Sequence, residues 1–100
     1  MNKTLILIFF GIVACSSPKQ KEQIVEASCG QCQFGLKSQM GCDLAVKIDD
    51  KAYFVQGAHI DDYGDAHDKN IGFCNVIRKA KVTGTIENDT FKVTSFEVLE

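Results

Sequence analysis

Four cysteines carry the densest chemistry in this sequence. The stretch "SCGQCQFGLKSQMGC" at residues 28–42 holds Cys29, Cys32 and Cys42, and Cys74 follows further along the chain. Thiolate sulfur can form disulfides, exchange with other disulfides, or bind soft metal ions such as zinc and Cu(I). The chemistry that applies depends on the redox state of the compartment in which the protein is found.

The first fourteen residues predict export. Lys3 supplies a positive charge, and the apolar run "TLILIFFGIVA" that follows has the length of a signal-peptide core and is too short for a permanent membrane-spanning helix. The run ends in "IVAC", which resembles the bacterial lipobox, where a peptidase cuts just before an acylated cysteine. We therefore expect residues 1–14 to be a lipoprotein signal peptide and Cys15 to be lipidated. An ordinary signal peptide is the alternative.

The lipid would anchor the chain to a membrane of the bacterial cell envelope. Residues 15–23 are polar and contain the only proline, so we interpret them as the lipidated cysteine and a tether. Several acyl chains on Cys15 would be enough for stable anchoring. Ser16 directly after the anchor suits sorting to the outer membrane by analogy with enterobacterial lipoproteins, facing the periplasm.

Composition limits the partners of the remaining domain, residues 24–100. Without the leader the chain has ten basic and thirteen acidic residues, a formal charge of −3, and the sequence contains no tryptophan. A nucleic-acid partner is not expected, because no basic stripe or basic aromatic surface is present. One domain of this size gains only a modest core, and such domains often use covalent or metal reinforcement.

Alternating apolar residues predict two β-hairpins. One covers residues 43–56 around an Asp49-Asp50 turn, and the other covers residues 80–100 around Asn88-Asp89. The apolar phase changes at Thr94-Ser95. This change predicts a β-bulge, which bends a strand around a small barrel, unless both faces of the strand are simply covered.

A short helix is predicted between the hairpins, because Phe73, Val76, Ile77 and Ala80 share a helical face. Two hairpins, a bulge and one short helix predict a mostly β, OB-like antiparallel barrel. In that fold the helix follows the third strand, and residues 24–36 would supply a first strand or an irregular cap. A flat antiparallel sheet with the helix on one face is the alternative.

The four domain cysteines allow three interpretations. An even number in a short exported chain is typical of disulfides, and we favour Cys29–Cys32 with Cys42–Cys74 because the second bridge would tie the first hairpin to the predicted helix. That second loop would contribute about 3 to 4 kcal/mol. The metal interpretation places three thiolates with Cys74, His59 or His67 around zinc or copper, although a second compact ligand pair is missing.

Thiol redox chemistry at "CGQC" is the third interpretation. The domain lacks a proline, a tryptophan and a βαβ pattern, so a thioredoxin fold is not expected. Residue 33 is glutamine, which excludes a Cys-x-x-Cys-His haem attachment motif. No Ser-His-Asp arrangement, phosphate-binding glycine loop or carboxylate pair on a clear scaffold indicates another enzyme class.

An acidic loop, "HIDDYGDAHD", is a second candidate metal site. Its ligand-type residues are His59, Asp61, Asp62, Asp65, His67 and Asp68. They could bind a hard cation or a transition metal, but their spacing is not that of an EF-hand. The alternative is a solvated loop whose aspartates cap turns. Any binding site is expected between this loop and the cysteine-rich segment.

The strings "CGQCQFG…GCDLAV", "GDAH" and "GFCN" together resemble a family of small, uncharacterised bacterial secreted proteins and lipoproteins over residues 28–99. The resemblance implies that Cys29, Cys32, Cys42, Asp43, Asp65, His67 and Cys74 belong to one site or one structural lock. It implies no reaction or cofactor.

Our leading hypothesis is an envelope lipoprotein that acts as a binding or structural module with paired cysteines, contacting a metal ion or an envelope protein. Zinc or copper handling by the thiolates and His67 comes second, and a thiol redox protein third.

Overall fold

The computed structural model describes residues 21–99. The predicted signal peptide, Cys15 and residues 16–20 of the tether lie outside the described residues, and the first strand begins three residues before the predicted domain start at Ile24. The elements are β1 (Lys21–Cys29), α1 (Gly30–Gln33), β2 (Leu44–Ile48), β3 (Lys51–Gln56), a 3-10 helix (Ile60–Tyr63), β4 (Arg78–Glu87) and β5 (Thr90–Val98).

The five strands form a closed barrel in the order β1-β2-β3-β5-β4. Strand β1 pairs antiparallel with both β2 and β4, and β4 pairs antiparallel with β5. The barrel closes through a short parallel pairing of β3 with β5, at Phe54–Gln56 and Thr90–Lys92. The predicted small β-rich barrel with one short helix is confirmed, and the alternative flat sheet is not observed.

Both predicted hairpins are present, with two-residue turns. Asp49 and Asp50 have φ of 50° and 70°, and Asn88 and Asp89 have φ of 53° and 63°. Two successive residues in the left-handed region match the twist of the flanking strands, and Asn and Asp adopt that region more readily than other non-glycine residues. These local preferences fix the register of β2 with β3 and of β4 with β5.

The predicted bulge is confirmed in β5. Thr83 lies opposite Ser95, whereas the next residue, Gly84, lies opposite Val93, so Thr94 is the extra residue. An extra residue shifts the side-chain alternation by one and bends the strand. Residues on both sides of the bulge therefore pack on the same core, which explains the phase change seen in the sequence.

The core fills the barrel and extends under the long loop between β3 and β4. Its buried apolar members are Val25, Ala27, Cys29, Leu44, Val46, Ala58, Ile60, Ala66, Phe73, Ala80, Val82 and Phe91. Phe73 and Phe91 are the largest fully buried side chains. Tyr63 packs edge-on against Phe73 and at a tilt against Phe96, so the loop shares the aromatic core with the sheet.

The helix predicted at residues 73–80 is wrong. The segment forms successive turns, in which the carbonyl of Gly72 accepts hydrogen bonds from the N–H groups of Asn75 and Val76, and β4 begins at Arg78. Pairing with β1 competes successfully with the helix, because Arg78 lies opposite Ala27 in a ladder that continues to Lys21. The α-helix of the described chain is α1 instead. Within residues 21–99 no helix is long and apolar enough to cross a membrane.

Candidate metal centre

The sulfur atoms of Cys29, Cys32, Cys42 and Cys74 converge at one end of the barrel. All four lie within 4.8 Å of one another. The Cys42 sulfur is the central one, 2.7 Å from the Cys74 sulfur and 2.9 Å from the Cys29 sulfur. All four thiols are free, so the favoured disulfides Cys29–Cys32 and Cys42–Cys74 are not present in the structure. The four sulfurs form one cluster in which Cys42 has two near neighbours, and the pairing stays a prediction.

The first two cysteines are positioned by the junction of β1 with α1. Cys29 ends the strand with its side chain fully buried and caps the helix, because its sulfur accepts a hydrogen bond from the Cys32 N–H at 3.4 Å. Gly30 allows this turn to lie against the barrel, since a Cβ atom there would stand 2.7 Å from a ring carbon of Phe54. Cys32 is one residue before the end of α1 and is exposed.

Cys42 is positioned by its neighbour Asp43, which is fastened to α1. The Gln31 side chain accepts a hydrogen bond from the Asp43 N–H at 2.9 Å and donates one to the Asp43 carboxylate at 2.8 Å. Gln39 donates to the same carboxylate oxygen at 3.0 Å, and the Gly30 N–H donates to the Asp43 carbonyl at 2.8 Å. These contacts hold the loop that carries Cys42 against the helix that carries Cys32.

Cys74 comes from the loop before β4 and is held through its backbone. Its N–H donates to the Ala66 carbonyl at 2.9 Å, and its carbonyl accepts from the Gln33 side chain at 2.9 Å. The Cys29 N–H donates to the carbonyl of Phe73 at 3.0 Å. Cys74 is therefore tied to the same junction of β1 with α1, despite the long separation in sequence.

Ser28 is a buried polar residue that reinforces this connection. Its side chain has no solvent exposure, and its oxygen lies 2.6 Å from the Phe73 carbonyl and 2.7 Å from the Val76 carbonyl. The hydroxyl has one proton to donate, so the two carbonyls share it. Because burial of an unpaired carbonyl is costly, Ser28 stabilises the turn that presents Cys74.

Mutual contact perturbs the acidity of the thiols. The hydrogen bond to Cys29 is the main cause that raises the pKa of Cys32 to about 11. Burial, together with contacts to Cys29 and Cys74, raises the pKa of Cys42 further above its ordinary value. Burial raises the pKa of Cys29, but hydrogen bonds from Cys42 and Cys32 outweigh it and give a pKa below the ordinary value. Several thiolates so close together need a cation to balance their charge.

The cluster has the composition and the dimensions of a tetrathiolate site. Zinc binds thiolate sulfur at about 2.3 Å in a tetrahedron, which places the sulfurs about 3.8 Å from one another. The observed limit of 4.8 Å agrees with one ion, and the two short pairs around Cys42 would open by about 1 Å to receive it. Tetrahedral sulfur sites are typical of zinc and of iron–sulfur chemistry, and thiolates also suit Cu(I).

The acidic loop does not contribute to this cluster. Among residues 21–99 the one group of metal-ligand side chains consists of the four cysteines, so Cys74 takes the fourth position that His59 or His67 was considered for. Three aspartates of the loop accept hydrogen bonds from backbone N–H groups instead: Asp62 from His59, Asp65 from His67, and Asp68 from Asn70 and Ile71. These contacts lower the pKa of Asp68. The turn-capping interpretation describes these three residues, while His59 and Asp61 line a cavity beside Cys42.

A family model matches residues 23–99, which is most of the chain and includes every residue of the cysteine cluster. The chain belongs to the DUF6370 family. It is a family of unknown function, so the predicted resemblance to an uncharacterised family is confirmed, while export and lipidation of this DUF6370 protein stay predictions. No curated protein and no solved structure matches the chain significantly.

Several residues that position the site in this DUF6370 protein were not recognised from the sequence. They are Ser28, Gly30, Gln31 and Gln33, and each acts through a contact that spans the fold or packs against another strand. Their closeness to the Cys-x-x-Cys motif was the available signal. Asp43, in contrast, stands beside Cys42 in the sequence and was already part of the recognised pattern.

Proposed function

We propose that this protein is a lipid-anchored, metal-binding protein of the bacterial cell envelope, in which Cys29, Cys32, Cys42 and Cys74 hold one zinc ion. The observation that carries the proposal is the convergence of four thiol sulfurs within 4.8 Å from three separate segments of the chain. Each segment is fastened by hydrogen bonds that leave its sulfur directed at the same point. Such an arrangement is what a tetrahedral ion requires of its ligands.

Zinc is favoured by the donor set. Four sulfurs and no carboxylate or imidazole make the site soft, which disfavours magnesium and calcium. A full set of four protein ligands is typical of a structural or storage site rather than a catalytic one, because a catalytic zinc keeps a position open for water. Cu(I) is the competing ion, since it also prefers thiolates.

Anchoring in the envelope is supported by the sequence alone. The apolar leader and "IVAC" support removal of residues 1–14 and acylation of Cys15. An exported protein meets an oxidising environment, in which free thiols are vulnerable. A bound ion would protect the thiolates of the cluster from oxidation.

The experiment is metal analysis of the full chain, expressed in a bacterium and purified from membranes in detergent without chelators. We expect one zinc per chain, and we expect Co(II) added in its place to give thiolate-to-metal charge transfer and tetrahedral ligand-field bands. Two variants separate the two halves of the proposal. Cys42→Ser should lose the metal and keep the acyl chains, whereas Cys15→Ser should keep the metal and lose both the acyl chains and cleavage after Ala14, which intact-mass spectrometry detects.

Other results would contradict the proposal in a specific way. Copper in place of zinc would identify the competing ion, and no metal in a sample with four alkylatable domain thiols would end metal binding altogether. Mass spectrometry before and after alkylation also tests a second candidate, a module stabilised by paired cysteines. That candidate is favoured by the 2.7 Å approach of the Cys42 and Cys74 sulfurs, and it predicts no alkylation without a reductant.

A further inference from the structure

A cavity of about 420 Å³ opens beside the cysteine cluster, and Cys42 forms part of its wall. Its lining comes from the loop before β2, the last half of β3, the start of the 3-10 helix with the residues just before it, and Thr90 at the start of β5. A volume of this size accommodates a small molecule or one side of a peptide. The residue that carries the central sulfur of the cluster therefore lines a shaped space.

The charge of the cavity lining favours some small molecules over others. Two carboxylates, Asp43 and Asp61, line it together with His59, and within the described chain its lining contains no lysine or arginine. Asp43 already accepts hydrogen bonds from Gln31 and Gln39, whereas Asp61 is exposed. The cavity is therefore unfavourable for an anionic molecule and favourable for a cationic one.

The same sulfur has a partner poised for bond formation. The Cys42 and Cys74 sulfurs are 2.7 Å apart, which shows that the fold lets them approach closely. From a separation of about 3.8 Å around an ion, a disulfide bond of about 2.05 Å requires an approach of about 1.8 Å. Both residues are partly exposed and lie in loops, while Cys29 is fully buried at the end of a strand. Cys42 and Cys74 are thus the pair that can close with least displacement of the barrel.

We propose that the cavity admits a neutral or cationic disulfide, that Cys42 exchanges with it, and that closure of a Cys42–Cys74 bridge releases the bound ion. The release step rests on the proposed function, because it needs zinc in the cluster. The exchange step rests on the cavity and the sulfur geometry. The site would then be a zinc store that is opened by disulfide stress.

The reaction balances without another reagent. The Cys42 thiolate attacks one sulfur of the incoming disulfide, which forms a mixed disulfide and expels one thiolate. The Cys74 thiolate then attacks the Cys42 sulfur and expels the second thiolate. The two protein sulfurs lose two electrons and the incoming disulfide gains them. Four protons are taken up, two by the leaving thiolates and two by Cys29 and Cys32 when Zn²⁺ departs with too few ligands left to hold it.

The test uses the zinc-loaded full chain in detergent with two probes of opposite charge, cystamine and oxidised glutathione. Zinc release is followed with a chromogenic chelator, and peptide mapping identifies the first disulfide. We expect one zinc ion to be released for each bridge formed, and we expect the first bridge to join Cys42 to Cys74. The rate of bridge formation with cystamine, divided by the rate with oxidised glutathione, should be higher for the folded protein than for unfolded protein. Asp61→Asn removes one carboxylate from the cavity lining and should lower that ratio by about three- to fivefold at physiological salt, because the two probes carry net charges of opposite sign. Asp50→Asn removes the same charge outside the cavity and should leave the ratio unchanged.

The possible failures fall on different parts of the inference. Zinc that stays bound after the bridge has formed, or a first bridge that lacks Cys42, would overturn it and leave the proposed function standing. Equal ratios in the two aspartate variants would overturn the role of the cavity. A chain that never holds zinc yet forms the Cys42–Cys74 bridge with the same charge preference would overturn the proposed function and the release step, and would support the exchange at Cys42.

Discussion

Removal of the Ser28 hydroxyl should weaken both the fold and the metal site. The Ser28 side chain is fully buried, and its oxygen lies 2.6 and 2.7 Å from the carbonyls of Phe73 and Val76. Ser28→Ala deletes the shared donor and leaves the buried Val76 carbonyl short of a partner, while the Phe73 carbonyl keeps the Cys29 N–H, at a cost of about 1 to 3 kcal/mol. Because these carbonyls flank Cys74, the turn that presents its sulfur should loosen as well. We expect zinc affinity to fall by about 5- to 160-fold, the same free energy expressed as a ratio of binding constants.

Urea unfolding of the metal-free chain measures the first effect, and competition with a chelator of known affinity measures the second. A small domain has a slope of about 1 kcal/mol per molar urea, so the midpoint should fall by about 1 to 3 M. Ser95→Ala is the matched control, because Ser95 is an exposed residue of β5. A Ser28→Ala midpoint equal to that of the control would refute the structural role. A lower midpoint with unchanged zinc affinity would refute the positioning of Cys74.

Three further predictions concern the ion and the barrel. Zinc binding at pH 7 should release at least two protons, because raised pKa values keep Cys32 and Cys42 protonated without metal. Zinc binding should therefore weaken as the pH falls. Calorimetry in buffers of different ionisation enthalpy counts the released protons. Chelation from a zinc concentration 100 times the dissociation constant should remove about 2.7 kcal/mol of stability, visible as a lower thermal midpoint, and no change would contradict a bound ion. Gly57→Ala should lower the free energy of unfolding by about 2 to 3 kcal/mol, because φ is 108° and a Cβ atom would lie 2.6 Å from the Val93 carbonyl oxygen. Gly64→Ala is the control: φ is 99° there, but a Cβ atom would have no neighbour within 4 Å, so the loss in the same urea assay should be clearly smaller.

The barrel was predictable because its signals are local. Paired turn residues that tolerate positive φ, such as Asn88 and Asp89, predict a hairpin, and the change in apolar alternation at Thr94 predicts the bulge. Each turn and the bulge depend on residues that are adjacent in the sequence, and the structure has each of them where the sequence predicted it. The closure of β3 onto β5 then follows from two hairpins and a bent strand around one core.

The helix between the hairpins failed for the opposite reason. The helical spacing of Phe73 and Val76 is real, but their carbonyls are held by Ser28, whose position opposite them depends on the pairing of β1 with β4. A periodic pattern cannot reveal a partner 45 residues away in sequence. The helix that does form, α1, has four residues and is too short to show periodicity.

The cysteine site was half predictable. The sequence placed Cys29, Cys32 and Cys42 together and gave several choices for the fourth partner, because the long loop carries two histidines as well as Cys74. The choice depends on where that loop meets β1, which is a property of the assembled barrel. The carboxylates of the loop were in turn used for backbone capping, as their density next to glycine and turn residues would also suggest.

Strand β1 separates the first described residue of the chain from the cysteine cluster. It runs from Lys21 to Cys29 without interruption, so its two ends are about 26 Å apart. Under the proposed acylation of Cys15, the tether would join the barrel at the Lys21 end of β1, and the sulfurs would lie near its other end. The thiols would then be separated from the point of attachment by the length of β1, at an end of the barrel that soluble reagents and soluble proteins can reach.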